Sequence, residues 1–231
     1  MTSAADVGVV LVAAGASSRL GGNELKQFRW IAGKPMLLHS LQRFQERGDV
    51  AMVVCVLPRQ YAGDPPPWIF QSDIDRMLVS VGGRERGESV LHGLEDLPDE
   101  VRIVVVHDAA RPMVEMEVID RVIAQARAGR GAVAAVPVTD TLKEVDADGR
   151  IVRTVARDTL WRAQTPQAFP RQMIERAYAE ARRAGKYATD CAALCESHGF
   201  EVVVVQGSER AVKVTEESDF ALVEAMTRAG Q

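Results

Sequence analysis

Four stretches of this chain carry residue types able to hold an anion or polarise one. The first is Ala13-Ala-Gly-Ala-Ser-Ser-Arg-Leu20, followed by Gly21-Gly22 and Lys26. Small side chains let backbone N–H groups approach phosphate oxygens, and Arg19 and Lys26 add fixed positive charge. The spacing is not G-x-x-x-x-G-K-[ST], because no Gly-Lys-Ser/Thr follows. Nor is it G-x-G-x-x-G, because Ser17 and Leu20 stand at the later glycine positions. Taken alone, the stretch reads equally as a plain turn with solvated charges. Its place directly after the apolar run Val9–Ala13 favours a phosphate loop.

The second stretch, Val104-Val-Val-His107-Asp108-Ala-Ala-Arg111-Pro112, ends a buried run in a carboxylate. Asp108 there suits a divalent cation bridging phosphates, the competing reading being a turn cap or a pair with Arg111. His107 reads as a satisfied strand-end histidine. In the third, Val81-Gly82-Gly83-Arg84-Glu-Arg-Gly-Glu88-Ser89, two glycines follow an apolar run and a hydroxyl falls in the next helix's first turns. That leaves room for a base or ribose edge, although glycines follow strands in any fold. In the fourth, Arg210-Ala-Val-Lys213-Val-Thr215-Glu216, Thr215 fits a helix cap, with acidic residues after it as the macrodipole prefers. Lys213 either points at the same anion or is a surface charge. Cys191 and Cys195 share a helix face and read as core, and His39, His92 and His198 have no ligand spacing. No Ser-His-Asp or G-x-S-x-G arrangement is present.

The elements that must position these residues follow from periodicity. Val9–Ala13, Ala51–Leu57, Met77–Val81, Ile103–His107, Ala132–Val136 and Val202–Val205 are short, valine-rich and read as strands. Pro35–Gln45, Glu85–Leu97, Glu115–Ala128, Arg171–Ala184, Asp190–Ser197 and Ser218–Thr227 have helical spacing. The alternation predicts a Rossmann-like, doubly wound, mostly parallel α/β sheet, with ligands at the carboxyl ends of its strands. Residues 137–166 break the pattern: Asp140–Val145 and Arg150–Val155 flank an Asp-Gly turn and predict a β-hairpin arm. A lone ribbon is marginal, so it is expected to pack on a second copy of the chain. The remainder reads as one domain over 1–231.

The 231 residues are 47% hydrophobic and 26% charged, with a net charge of −4, enough for a core without staples. Cys55, Cys191 and Cys195 match no zinc or Cys-x-x-Cys spacing, which suits a reducing cytoplasm. The longest apolar run, Val7–Ala14, is too short for a membrane span, and the residues before it do not read as a signal peptide. The mildly acidic total argues against nonspecific nucleic-acid binding.

The ordered set Ala13-Ala-Gly15 with Arg19, Lys26-Gln27-Phe28, His107–Pro112, Asp140-Thr141, Arg157 before Leu160-Trp161, Gln164-Thr-Pro-Gln167, Thr189-Asp190 and Lys213-Val-Thr215 resembles the 2-C-methyl-D-erythritol 4-phosphate cytidylyltransferases, from about Val9 to Val223. The resemblance implies transfer of CMP from CTP to the sugar-alcohol phosphate in the non-mevalonate isoprenoid pathway, with a Mg2+ ion and a homodimer whose arms interlock. It implies that Ala13, Ala14, Gly15, Arg19 and Lys26 hold the triphosphate, and that Gly82, Gly83 and Ser89 receive the cytidine. Asp108 would sit by metal and substrate. Arg111, Thr165, Thr189, Lys213 and, from the same terminal motif, Thr215 would line the second-substrate pocket, with Thr141 and Arg157 entering from the partner's arm. Arg19, Lys26 and Lys213 would be the catalytic cations. The chain departs from the family at Val12 and Leu25, where proline is usual, at Ser17, often glycine, and at Cys191, usually acidic. A ribitol-5-phosphate cytidylyltransferase shares the loop, Thr-Pro-Gln and Lys-Val-Thr. Ala13-Ala14, Ala110 and Leu160-Trp161 favour the methylerythritol enzyme. A non-catalytic nucleotide-binding regulator would have less need of so many converging cations. A dehydrogenase lacks its glycine fingerprint here.

Overall fold

The structure, a computed structural model, describes residues 5–15 and 25–229. Its elements in chain order are β1 (Val7–Val12), β2 (Trp30–Ile31), β3 (Lys34–Pro35), α1 (Met36–Gln45), β4 (Val50–Leu57), α2 (Arg59–Ala62), β5 (Met77–Val81), α3 (Arg86–Glu95), β6 (Ile103–Asp108) and α4 (Met116–Arg127). The second half adds β7 (Gly131–Pro137), β8 (Leu142–Val145), β9 (Ile151–Val155), β10 (Trp161–Pro170), α5 (Arg171–Ala184), α6 (Cys191–Ser197), β11 (Val202–Gln206) and α7 (Glu217–Ala229).

Seven strands form one sheet in the order β11-β7-β10-β6-β1-β4-β5. Continuous valine runs suit it because the central strands are buried on both faces. Alternate side chains sort to the two faces. Val9, Leu11, Val53, Cys55 and Val105 pack with Leu37, Leu41 and Phe44 of α1 and Ile119 and Val122 of α4. Val10, Val54, Val56, Val104 and Val106 pack with Val90 and Leu94 of α3, Ile174 and Tyr178 of α5, and Cys191 and Cys195 of α6. All neighbouring strands run parallel except β10, which pairs antiparallel with both β6 and β7. Sequence periodicity does not reveal β10. Its polar Gln164-Thr-Pro-Gln167 centre falls in the irregularity between Ala163 and Gln167, where pairing to β7 lapses, and the Thr165–Pro166 bond is cis. Trp161, Arg162 and Ala163, which fall in the stretch read as arm, pair with Pro137, Val136 and Ala135.

Strands β8 and β9 form a separate antiparallel pair, Leu142 opposite Val155. The Asp146 N–H donates to the Arg150 carbonyl at 3.0 Å, and the Gly149 N–H to that of Asp146 at 3.0 Å. The ribbon leaves Val145, Ile151 and Val152 at 52%, 65% and 60% exposure. At the opposite end of the sheet, away from the strands' carboxyl edge, ion pairs tie the chain together. Arg47 reaches Asp49 at 2.9 Å and also pairs with Asp120, while Arg127 bridges Asp6 at 2.8 Å and Asp49 at 3.0 Å. Burial pushes the Asp49 carboxyl up, but Arg47 and Arg127 outweigh it and hold it below the usual carboxylate range.

Candidate active site

At the carboxyl ends of β1, β5 and β6 lies a cavity of about 430 Å³. One wall is the loop after β1, with Ala13, Ala14 and Gly15; beside it stand Lys26 and Gln27. The turn from β5 into α3 gives Gly83 to Arg86 and Ser89, β6 ends there in Asp108, Ala109 and Ala110, and Lys213 closes the rim. Lys26, Arg84, Arg86 and Lys213 face the space against two carboxylates, Glu85 and Asp108, so the cavity is net positive in a chain of net charge −4. A pocket of that sign focuses polyanions.

The two loops meet because Gly82 has no side chain. Its N–H donates to the Leu57 carbonyl at 2.7 Å, and a Cβ there would lie 2.2 Å from that of Ala14. Ser89 shapes the next turn: its Oγ accepts from the Gly83 N–H at 3.1 Å and donates to the Glu85 carbonyl at 3.1 Å. Gln27 is buried, and its Nε2 donates to the Ala13 carbonyl at 2.5 Å, fixing the end of β1. The Nζ of Lys26 donates to the Val214 carbonyl at 3.2 Å, which joins the segment after β1 to the C-terminal motif.

Asp108 is 7% exposed and divides its oxygens between two cations. Oδ1 accepts from Arg86 Nε at 3.1 Å and Nη2 at 3.0 Å; Oδ2 accepts from Lys213 Nζ at 2.7 Å. Burial alone raises its pKa, yet Arg86 and then Lys213 reverse the sign and hold the carboxyl well below the usual range. Burial lowers the Arg86 pKa in turn, but Asp108 and Cys191 outweigh it and the net shift is upward. Beneath them runs a hydrogen-bond chain. The Asp108 N–H donates to Thr165 Oγ1 at 3.1 Å, and because His107 Nε2 faces the Arg111 carbonyl and so carries the ring proton, the Thr165 hydroxyl donates to His107 Nδ1 at 3.1 Å. His107 Nε2–H then donates to the Arg111 carbonyl at 3.1 Å. Both ring nitrogens are thereby used in a neutral tautomer, and burial pushes the His107 pKa down to about 4. His107 is a satisfied strand-end residue, as the sequence reading has it.

Of the residues singled out in the sequence, Ala13, Ala14, Gly15, Lys26, Gly83, Ser89, Asp108 and Lys213 line this one space. Lys213 is thus resolved as a cavity residue rather than an uninvolved surface charge. Gly82 sits behind the wall, and Thr165 is buried beneath it, holding Asp108. Arg111 lies outside the lining, its Nη1 donating to the Ala211 carbonyl at 2.6 Å, with its buried Nε lacking a partner among the described residues. Thr189 is exposed, just before the Asp190 that caps α6. Thr141 and Arg157 are exposed near the ends of the ribbon, Arg157 donating to the Thr139 carbonyl. Arg19 lies outside the described residues. Thr215 departs from the capping role read from the sequence. Its own N–H and Oγ1, with the Glu216 N–H, donate to Asp219 Oδ2 at 2.8, 2.7 and 3.0 Å, so the carboxylate inside α7 does the capping. An acidic side chain satisfies three donors at once, which a threonine hydroxyl cannot.

Arg86 is the residue the sequence reading passes over. No local signal marks it, since among the described residues Arg59 and Arg171 also open helices and neither grips a buried carboxylate.

A mostly parallel sheet with a net-positive, nucleotide-sized cavity at its carboxyl edge, lined among the described residues by cations, two carboxylates and small side chains, is the arrangement of a nucleotide-binding α/β protein. Residues 7–229 match the family described as 2-C-methyl-D-erythritol 4-phosphate cytidylyltransferase, and the chain belongs to that family. It is 39% identical to the enzyme of that name from Syntrophus aciditrophicus, covering 95% of this chain and 94% of the relative. A bifunctional IspD/IspF enzyme from Desulfotalea psychrophila is 36% identical, and the chain spans 56% of its length. The crystal structure of the cytidylyltransferase from Thermus thermophilus is similar with a TM-score of 0.79 and 34% identity, over 95% of this chain and 98% of that one.

Proposed function

We infer that the chain transfers CMP from CTP to 2-C-methyl-D-erythritol 4-phosphate, releasing pyrophosphate, as a step in isoprenoid precursor synthesis. The observation that carries this reading is the convergence of Lys26, Arg86 and Lys213 with Asp108 in one cavity of a member of this family. The nucleophile is a phosphate monoester whose second ionisation lies near pH 6, so it reaches the α-phosphorus already as an anion and needs no general base. A neutral, fully bonded His107 agrees with that chemistry. The barrier is repulsion between anions and charge developing toward the pyrophosphate. Lys26, Lys213 and Arg19 are placed by this reading to lower it.

Mg2+ fits as an ion carried by the triphosphate. Among the described residues no cluster of three acidic, Cys or His side chains could hold a metal unaided, and of the two carboxylates in the cavity, Asp108 and Glu85, the reading assigns Asp108, at the end of β6, to the ion. Bound there, the ion would screen phosphate charge, and Lys213 would pass from Asp108 Oδ2 to the substrate. The exposed ribbon supports a homodimer in which Thr141 and Arg157 enter the partner's site. Three buried thiols, Cys55 pushed up to about 12 by burial, accord with a reducing cytoplasm.

Pyrophosphate release tests the reading. CTP, ATP, GTP and UTP are each incubated with methylerythritol phosphate and with ribitol phosphate. Release only with CTP and methylerythritol phosphate is expected. Release with ribitol phosphate moves the chain to the ribitol enzymes, and none with any pair leaves a nucleotide-binding regulator.

A further inference from the structure

Gly87, the second residue of α3, is a costly choice for a helix unless its missing side chain is used. A Cβ on Gly87 would lie 2.4 Å from Cγ and 2.5 Å from Cβ of Tyr187, so the tyrosine ring rests directly on the helix backbone. Tyr187 belongs to the segment between α5 and α6, where it is partly buried while Lys186 and Ala188 are exposed. It also stands 6.0 Å, ring to ring, from Tyr178.

Two residues beyond Ala188, Asp190 is clamped from another side. Its Oδ1 accepts from the Ala193 N–H at 2.8 Å and its Oδ2 from Gln167 Nε2 at 2.9 Å, while Gln167 Oε1 accepts from the Ala192 N–H at 3.1 Å. Cys191 then touches the cavity wall, with Sγ 3.8 Å from Arg86 Nη1 and 3.2 Å from the Tyr178 hydroxyl. Thr189 is therefore held between two anchors. One of them, the Tyr187–Gly87 contact, is a neighbour in sequence of the Arg86 that grips Asp108.

We propose that Tyr187, seated on Gly87, is a positioning residue that holds Thr189, flanked by contacts of Tyr187 and Cys191 with the first turn of α3, where it meets the sugar-alcohol phosphate and sets the affinity for it. This rests on the functional reading above, together with the second-substrate role that the family resemblance implies for Thr189. Close-packed contacts of this kind transmit a displacement of one methyl group.

The test is steady-state kinetics on the full chain. Gly87→Ala inserts the methyl and displaces the ring; Tyr187→Ala removes the ring without overpacking. Each is expected to raise KM for methylerythritol phosphate about tenfold while kcat and KM for CTP stay within about twofold. Tyr187→Phe keeps the ring and should match wild type. Adding Gly87→Ala to Tyr187→Ala should cost nothing further, since the clash has no partner left. An unchanged KM for methylerythritol phosphate, or equal rises for both substrates, overturns the proposal. Hydrogen exchange across 186–190 is read alongside and is expected to quicken in Gly87→Ala. Unchanged exchange also overturns the proposal. A wild-type enzyme that exchanges as expected but turns over no methylerythritol phosphate refutes instead the functional reading.

Discussion

Asp108 shows how one carboxylate can organise a positive cavity. Arg86, with two donors on Oδ1, is the inner partner, its side chain 27% exposed; Lys213, on Oδ2, is the outer one at 41%. Their losses should therefore differ in kind. Arg86→Ala strips the inner partner from a buried carboxylate, leaving it only the outer Lys213, and should lower stability by on the order of 3 kcal/mol, read as a fall in the urea midpoint. Lys213→Ala should leave that midpoint nearly unchanged, because a half-exposed lysine contributes little, yet reduce kcat by on the order of 10²–10³ in the pyrophosphate assay. Equal stability losses would show that the two cations are interchangeable supports. The spacing of the sequence motifs pointed to Asp108 and Lys213 separately. That both cations donate to one carboxylate depends on three distant segments meeting, which local spacing does not encode.

Among the elements, the turn between β5 and α3 is the one with least tolerance. Gly82→Ala would drive a methyl into Ala14 and separate the turn from the loop after β1, so the dissociation constant for CTP should rise about tenfold or more. Titration of CTP by calorimetry gives the check, and unaltered affinity would mean that the two loops need not touch. The strands and helices themselves were largely legible, since valine runs and helical spacing give β1, β4, β5, β6, β7 and β11 and the six longer helices to within about two or three residues. β10 was not, because Gln164-Thr-Pro-Gln167 lacks alternation and proline normally marks a sheet edge, whereas here the irregularity is buried at the sheet's centre. The small β2–β3 pair is two residues per strand, below what periodicity can register.

For the whole molecule, the exposed Val145, Ile151 and Val152 of the ribbon are expected to be covered by a second copy. Light scattering should give about twice 25.2 kDa. Mixing Arg157→Ala chains with Lys26→Ala chains should restore part of the activity that each has lost, because one site of the mixed dimer keeps both residues. Persistent inactivity despite proven subunit exchange would place Arg157 in its own chain's site. The ion pairs around Asp49 set a pH dependence at the other end of the sheet. Its folded pKa lies below the unfolded value near 4, so the stabilisation is complete above that value and is lost as pH falls through the folded one. The urea midpoint of Asp49→Asn should accordingly trail wild type at pH 7, and the gap should narrow as pH falls below the unfolded carboxylate value near 4. The antiparallel β10 carries a consequence for synthesis on the ribosome. β6 and β7 flank it, so each lacks the neighbour on that side until residues 161–170 have emerged. A nascent chain holding β5, β4, β1 and β6 in place displays the bare edge of Ile103–Val106, which is apolar and hydrogen-bond hungry. Chains stalled before residues 161–170 have emerged should accordingly bind a chaperone that the complete folded chain does not need, read as co-purification of the chaperone with the stalled chain.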